Sequence, residues 1–224
     1  MIRFSQIGQQ QQPLLVVDNF IPQPEQLIRY ALQQANVRQA DGLYPGLRSA
    51  APAAFGTFLL QQLSQPIQDC FGLVPSQLQQ IDSYFSLVCT PAAQLSPMQS
   101  VPHFDRPCPD ELAAIYYLCD ERHGGTSFYR HRSTGYEAIT PERQSQYHQA
   151  LQADFQKHGI PAGYICGNTP LFEVIATVPA RFNRLVLYRC SSLHSGDIKP
   201  DYSYDLNPVS GRFTIASFLS APKA

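Results

Sequence analysis

The sequence predicts a mainly β protein with flanking helices, folded as one domain over residues 1–224. Runs rich in β-branched and aromatic residues, such as IDSYFSLVCT from residue 81 and LAAIYYLC at 112–119, fill much of the chain from residue 81 onward. Apolar residues at helical spacing occur in three stretches, about 23–36, 53–71 and 141–158. Helices therefore come first, followed by strands with one inserted helix. That order suits a β core with helices packed against it.

LLVV at 14–17 reads as a short strand, with Asp18 and Asn19 as its turn. The four glutamines at 9–12 are too few to count as low complexity. Pro24 suits a first helical turn, and Leu27, Ile28, Ala31 and Ala35 recur on one face up to about Asn36. Residues 37–51, rich in Gly, Pro, Ala and Ser, read as loop. Phe55, Leu59 and Leu63 mark the next helix, and Pro66 predicts a break or kink before Ile67 and Phe71 resume its face.

LAAIYYLC is apolar enough for a strand buried on both faces. ERHGG is its turn, with glycines free to take positive φ, and TSFYRHR returns. Thr140, Pro141 and Glu142 start the inserted helix, whose apolar stripe is Tyr147, Leu151 and Phe155. LFEVIATV at 171–178, RLVLYRC at 184–190 and RFTIASFL at 212–219 are further strands.

Sixteen basic against 17 acidic side chains, net −1, argue against a nucleic-acid partner. The N-terminus MIRFSQIGQQQQ lacks a secretory pattern, and no apolar run approaches the roughly 20 residues that cross a bilayer. Six cysteines without a CxxC pair read as buried, reduced thiols of a cytoplasmic protein without a membrane partner.

The chemistry concentrates in VPHFD. His103 and Asp105, two residues apart, leave one face of an extended strand and offer a divalent metal an imidazole and a carboxylate. A distant second histidine completes such a pair in iron(II) oxygenases, and His194 in RLVLYRCSSLHSG is the candidate. Ligation at roughly 2 Å each requires their ligand atoms to lie within about 4 Å of one another. His131 and its neighbours Arg130 and Arg132 read as a solvated strand end, and His148 and His158 as surface positions.

PHFD, IYYLCDERHGGTSF, RLVLYRCSSLHSG and GRFTIASF together resemble the iron(II)/2-oxoglutarate dioxygenases of the prolyl hydroxylase type, and LLVVDNFIPQPEQLIRYAL is similar to the opening of many such domains. GGTSFYRHRSTG and NRLVLYRCSSLHSG look like an uncharacterised bacterial group within that superfamily. The resemblance implies a double-stranded β-helix (a cupin-like jelly roll) that binds Fe(II) and takes 2-oxoglutarate as co-substrate. It implies a facial triad of His103, Asp105 and His194, and 2-oxoglutarate binding by Arg212, Thr214 and Tyr117. An arginine suits that task because its planar fork meets a carboxylate bidentately.

The chain departs from the family pattern in the long DIKPDYSYDLNPVSG segment before Arg212, which reads as an inserted loop. Ala93 stands where the family carries a tyrosine ahead of the HxD, so Gln99 or another group must substitute. The implied activity is hydroxylation of a small-molecule or peptide substrate. A jelly-roll module that binds metal without turnover is the alternative.

Overall fold

The computed structural model describes residues 1–34, 38–40 and 42–220. Its first half contains β1 (Ile2–Ile7), β2 (Gln12–Asp18), α1 (Glu25–Gln34), β3 (Arg38–Gln39), β4 (Gly46–Ala50), α2 (Ala53–Phe71) and β5 (Gln79–Val88). The second half contains β6 (Leu112–Tyr117), β7 (Gly125–His131), α3 (Pro141–His158), β8 (Phe172–Pro179), β9 (Arg184–Arg189), β10 (His194–Gly196) and β11 (Phe213–Ser220). The strands pair antiparallel in two sheets, a large one in the order β1-β2-β9-β6-β11-β5-β4-β3 and a small one in the order β10-β7-β8.

The central strands read as continuous apolar runs because both faces of the large sheet are covered. Alternate residues divide between two cores. On the outer face Leu15, Leu112, Tyr116, Leu187 and Ile215 share one core with Phe55, Leu59 and Leu63 of α2. Ala113, Tyr117, Val186 and Tyr188 face the other way, toward Phe128 and Val178 of the small sheet. A third core joins α3, through Tyr147 and Leu151, to Tyr129, Phe172 and Leu193.

Several expectations change. Residues 46–50 are not loop: β4 pairs with β5, and Gly46 makes this possible because a Cβ there would collide with the Leu87 carbonyl oxygen. The glycine that suggested a loop is what admits the strand. The N-terminal strand β1 escaped notice because its side chains are mostly exposed and show no apolar alternation. Gln9, Gln10 and Gln11 belong to its hairpin turn, where the Gln9 and Gln10 amides donate to buried Glu137 at 2.9 and 2.8 Å.

Helix α2 runs unbroken through Pro66. The carbonyl that proline leaves without a donor belongs to exposed Gln62, where water can serve it. Residues 35 and 36, expected at the end of the first helix, lie outside the described residues.

His131 is not a solvated strand end. It is fully buried, with Nε2 3.0 Å from Asp154 of α3 and Nδ1 3.0 Å from the Thr134 hydroxyl. Arg130 pairs with Glu137 and Glu173. The cysteines are all free, but only Cys119 and Cys190 are buried and Cys166 is exposed. No helix among the described residues is long and apolar enough to cross a membrane.

One buried ion pair locks β2 to β9. Asp18 and Arg184 are register partners, and Arg184 Nε donates to Asp18 Oδ1 at 2.6 Å. The hydrogen bond from Arg184 holds the Asp18 carboxyl below its ordinary value. A lowered native value means that the pair's stabilisation is complete above about pH 4 and fades as pH falls through the native value. Urea denaturation at pH steps from 6 to 2 will therefore show a shallower acid loss in Asp18→Asn than in the unmodified chain. Arg184→Gln will lower stability at pH 7, but by less than the full cost of an unpaired buried carboxylate, because Arg3 and Arg181 still reach Asp18 Oδ2 at 3.2 and 3.7 Å.

Candidate metal centre

The HxD segment is not part of a strand. It is fixed by a single two-way bridge, in which the His103 amide donates to the His194 carbonyl at 2.9 Å and the His194 amide returns to His103 at 2.8 Å. The Asp105 amide donates to the Cys190 carbonyl at 2.9 Å. Residues from two distant parts of the chain are thus brought side by side at the end of β9.

The side chains converge between the two sheets. Asp105 Oδ1 lies 3.8 Å from His103 Nε2, and Oδ2 lies 3.7 Å from His194 Nε2. One ligand atom from each residue falls within 4.8 Å of the others, slightly wider than the expected 4 Å.

His194 Nδ1 is 3.0 Å from the Ser192 carbonyl, which accepts a hydrogen bond from that nitrogen and leaves Nε2 as the ring nitrogen turned toward Asp105. Burial holds the His103 imidazole well below its ordinary pKa, with His194 adding to the effect, so it is neutral at pH 7. Burial raises the Asp105 carboxyl, while His194 and Arg48 oppose the rise. Asp105 Oδ2 is buried with no hydrogen-bond partner. An orphaned carboxylate oxygen beside two imidazole nitrogens fits a divalent cation.

Arg212 and Thr214 line the same cavity from β11 and the residue just before it, whereas Phe213 and Ile215 enter the helix-facing core. The Arg212 guanidinium is buried, donating from Nε to the His123 carbonyl at 3.2 Å and from Nη2 to the Gly125 carbonyl at 2.7 Å. No carboxylate pairs with it among the described residues. Gly124, at φ +84°, lets this turn form, since a Cβ there would collide with the Asp197 carbonyl oxygen.

Tyr117 lies beneath the cavity and not on its wall. Its ring is 5.9 Å from the Arg212 guanidinium, and its hydroxyl is 2.6 Å from that of Thr126, which does line the space.

Gln99 is on the wall, as are three residues not singled out from the sequence: Tyr44, Arg48 and Tyr188. The Tyr188 ring packs 4.7 Å from His194. Its hydroxyl and that of Tyr44 are buried without partners. Burial pushes Tyr44 up to about 12, although Arg212 and Arg48 both act against it. Tyr188 carried a signal in alternation, since it shares a strand face with Val186. Tyr44 and Arg48 carried none, because the glycines and prolines around them suggested loop.

Fold and site together define a β-sandwich protein with a polar His/Asp/His cluster and a buried arginine between its sheets. Residues 1–219 match the family described as "Family of unknown function (DUF6445)", and the chain belongs to that family. A comparison with curated proteins finds no match.

Among solved structures, HygX from Streptomyces hygroscopicus, holding nickel, 2-oxoglutarate and hygromycin B, superposes with a TM-score of 0.53 at 14% identity, over 93% of this chain and 82% of that one. SnoN, a non-heme α-ketoglutarate-dependent epimerase from nogalamycin biosynthesis, gives 0.51 at 11% identity, over 93% and 77%. At this identity the likeness concerns the fold, which is the double-stranded β-helix, or jelly roll.

Because the Tyr117 hydroxyl is spent on Thr126, Tyr117→Phe will lower stability by about 0.5–1.5 kcal/mol in chemical denaturation, the usual value of one such bond.

Proposed function

We propose that this protein is an iron(II)- and 2-oxoglutarate-dependent oxygenase acting on a small molecule or peptide, with residues 1–224 as one catalytic domain. The observation that carries this reading is the meeting, in one cavity, of a three-residue ligand set and a buried guanidinium without an anion. A cation in the interior is costly unless a partner offsets its desolvation, and two carbonyls supply dipoles but no charge. A dicarboxylate reaching from the ligand set to Arg212 would supply that charge. HygX, whose fold is shared, holds nickel and 2-oxoglutarate together.

His103, Asp105 and His194 would hold the metal, with His194 oriented by the Ser192 carbonyl. Iron bound there, with 2-oxoglutarate and oxygen, supplies oxidative decarboxylation of the co-substrate coupled to oxidation of a substrate C–H bond. Arg212 would pair with the distant carboxylate, and Thr214 would stand beside it on the same strand face. Tyr117 would act through Thr126 and Arg212, holding the floor of the co-substrate site. The apolar bodies of Met98, Ile115 and Phe218 line the space and limit water there.

Oxygen uptake and succinate formation, measured after anaerobic iron reconstitution, test the reading. Asp105→Ala removes the anionic ligand and will abolish turnover. His148→Ala, on the exposed side of α3, will leave it intact. Equal turnover in Asp105→Ala and the unmodified chain would overturn the assignment.

Calorimetric titration gives a second check. With metal saturating, Arg212→Ala will lose about 2–5 kcal/mol of 2-oxoglutarate binding, the usual loss for one partner of a buried charge pair. Metal affinity will hardly change.

A further inference from the structure

The cavity contains a second arginine that the proposed chemistry does not use. Thr214 of β11 is paired with Ser86 of β5, and Ser86 with Arg48 of β4. The three stand in one row across the sheet, which puts the Arg48 backbone about 10 Å from that of Thr214 at the usual strand spacing.

The guanidinium of Arg48 is held in place. Its central carbon lies 4.3 Å from the Tyr44 ring centroid and 5.4 Å from that of Tyr84, while Nε donates to the Ser86 hydroxyl at 3.3 Å. The Nη edge has no acceptor and no carboxylate among the described residues. Other arginines of this chain do have one: Arg106 pairs with Glu111, Arg130 with Glu137 and Arg184 with Asp18. The Tyr44 hydroxyl, on the same cavity wall, is likewise buried without a hydrogen-bond partner. Stacked rings that fix a guanidinium while its donor fork stays free make a ready anion receptor.

We propose that Arg48, with the Tyr44 hydroxyl on the same wall, recognises a carboxylate or phosphate group on the substrate, and this rests on the oxygenase reading above. Arg212 is enclosed and committed to the His123 and Gly125 carbonyls, whereas Arg48 is half-buried. The two guanidiniums therefore serve separate anions, the deep one for the co-substrate and the outer one for the substrate. Leu43, Met98 and Phe218 on the wall fit an apolar body attached to that anion.

The test uses the full chain loaded with nickel and 2-oxoglutarate, a combination that does not depend on turnover. Ligand-observed NMR titration at fixed ionic strength compares 3-phenylpropionate with its neutral amide, and phenyl phosphate forms the phosphate arm. At least one anion will bind about ten- to hundredfold more tightly than the amide, as a charge-assisted hydrogen bond warrants. Arg48→Gln will remove that preference, Arg48→Lys will restore part of it, and 2-oxoglutarate affinity will stay the same in both.

Equal binding of anions and amide, binding of neither, or a preference that survives Arg48→Gln would overturn the proposal. So would loss of 2-oxoglutarate binding in Arg48→Gln, which would assign Arg48 to the co-substrate instead. Failure of 2-oxoglutarate to bind the metal-loaded unmodified chain would strike the oxygenase reading alone. The Arg48-dependent preference, repeated without 2-oxoglutarate, separates the two failures.

Discussion

The two backbone hydrogen bonds between His103 and His194 are the constraint on which the site depends. His103 lies in a segment without regular structure, between β5 and β6, and His194 opens the short strand β10. Nothing in the local conformation of either residue would make them neighbours. The reciprocal bridge does so, and the Asp105–Cys190 bond sets the next turn of chain. Three side chains then face one point, although only His194 is in a strand. Their convergence makes Asp105 Oδ2 costly, because it is buried and unpaired. Such a cost is tolerated where a ligand offsets it.

The same logic governs the other end of the cavity. Arg212 is buried beside Tyr117 and satisfied in part by carbonyls from the turn between β6 and β7. That turn packs against the Asp197 carbonyl, which is possible only because residue 124 has no Cβ. The long segment before Arg212 does not displace it. Tyr202 within that segment accepts a hydrogen bond from the Arg212 amide at 2.9 Å and so helps to hold the arginine in place. The inserted loop thus acts as a brace for the residue that follows it. Positive charge at Arg212 and Arg48 on one wall, with the ligand set nearby, gives the cavity a polarity suited to anions.

Much of this was legible in the sequence where a side chain's role follows from its own strand. The HxD and the distant LHSG named the three side chains that meet at one point, and the family resemblance named Arg212 and Thr214, which line the same cavity. Roles set by cross-strand partners were harder to read. Tyr117 occupies the expected strand, but Thr126, arriving from β7, takes its hydroxyl. His131 looked exposed because it ends a strand between two arginines, yet the inserted helix covers it with Asp154. Arg48 was hidden by composition, since the glycine and prolines around it suit a loop as well as a close-packed strand held between β5 and β3. In each case the missing information was which distant element would pack there.

On the proposed reading the metal and 2-oxoglutarate share one site made by His103, Asp105, His194 and Arg212. The most direct test is calorimetric titration of 2-oxoglutarate into the protein under anaerobic conditions, with and without one equivalent of iron(II). A shared site predicts one 2-oxoglutarate per chain and markedly tighter binding when iron is present, because the metal contributes part of the binding surface. Equal affinity with and without iron, or no binding in either state, would contradict it.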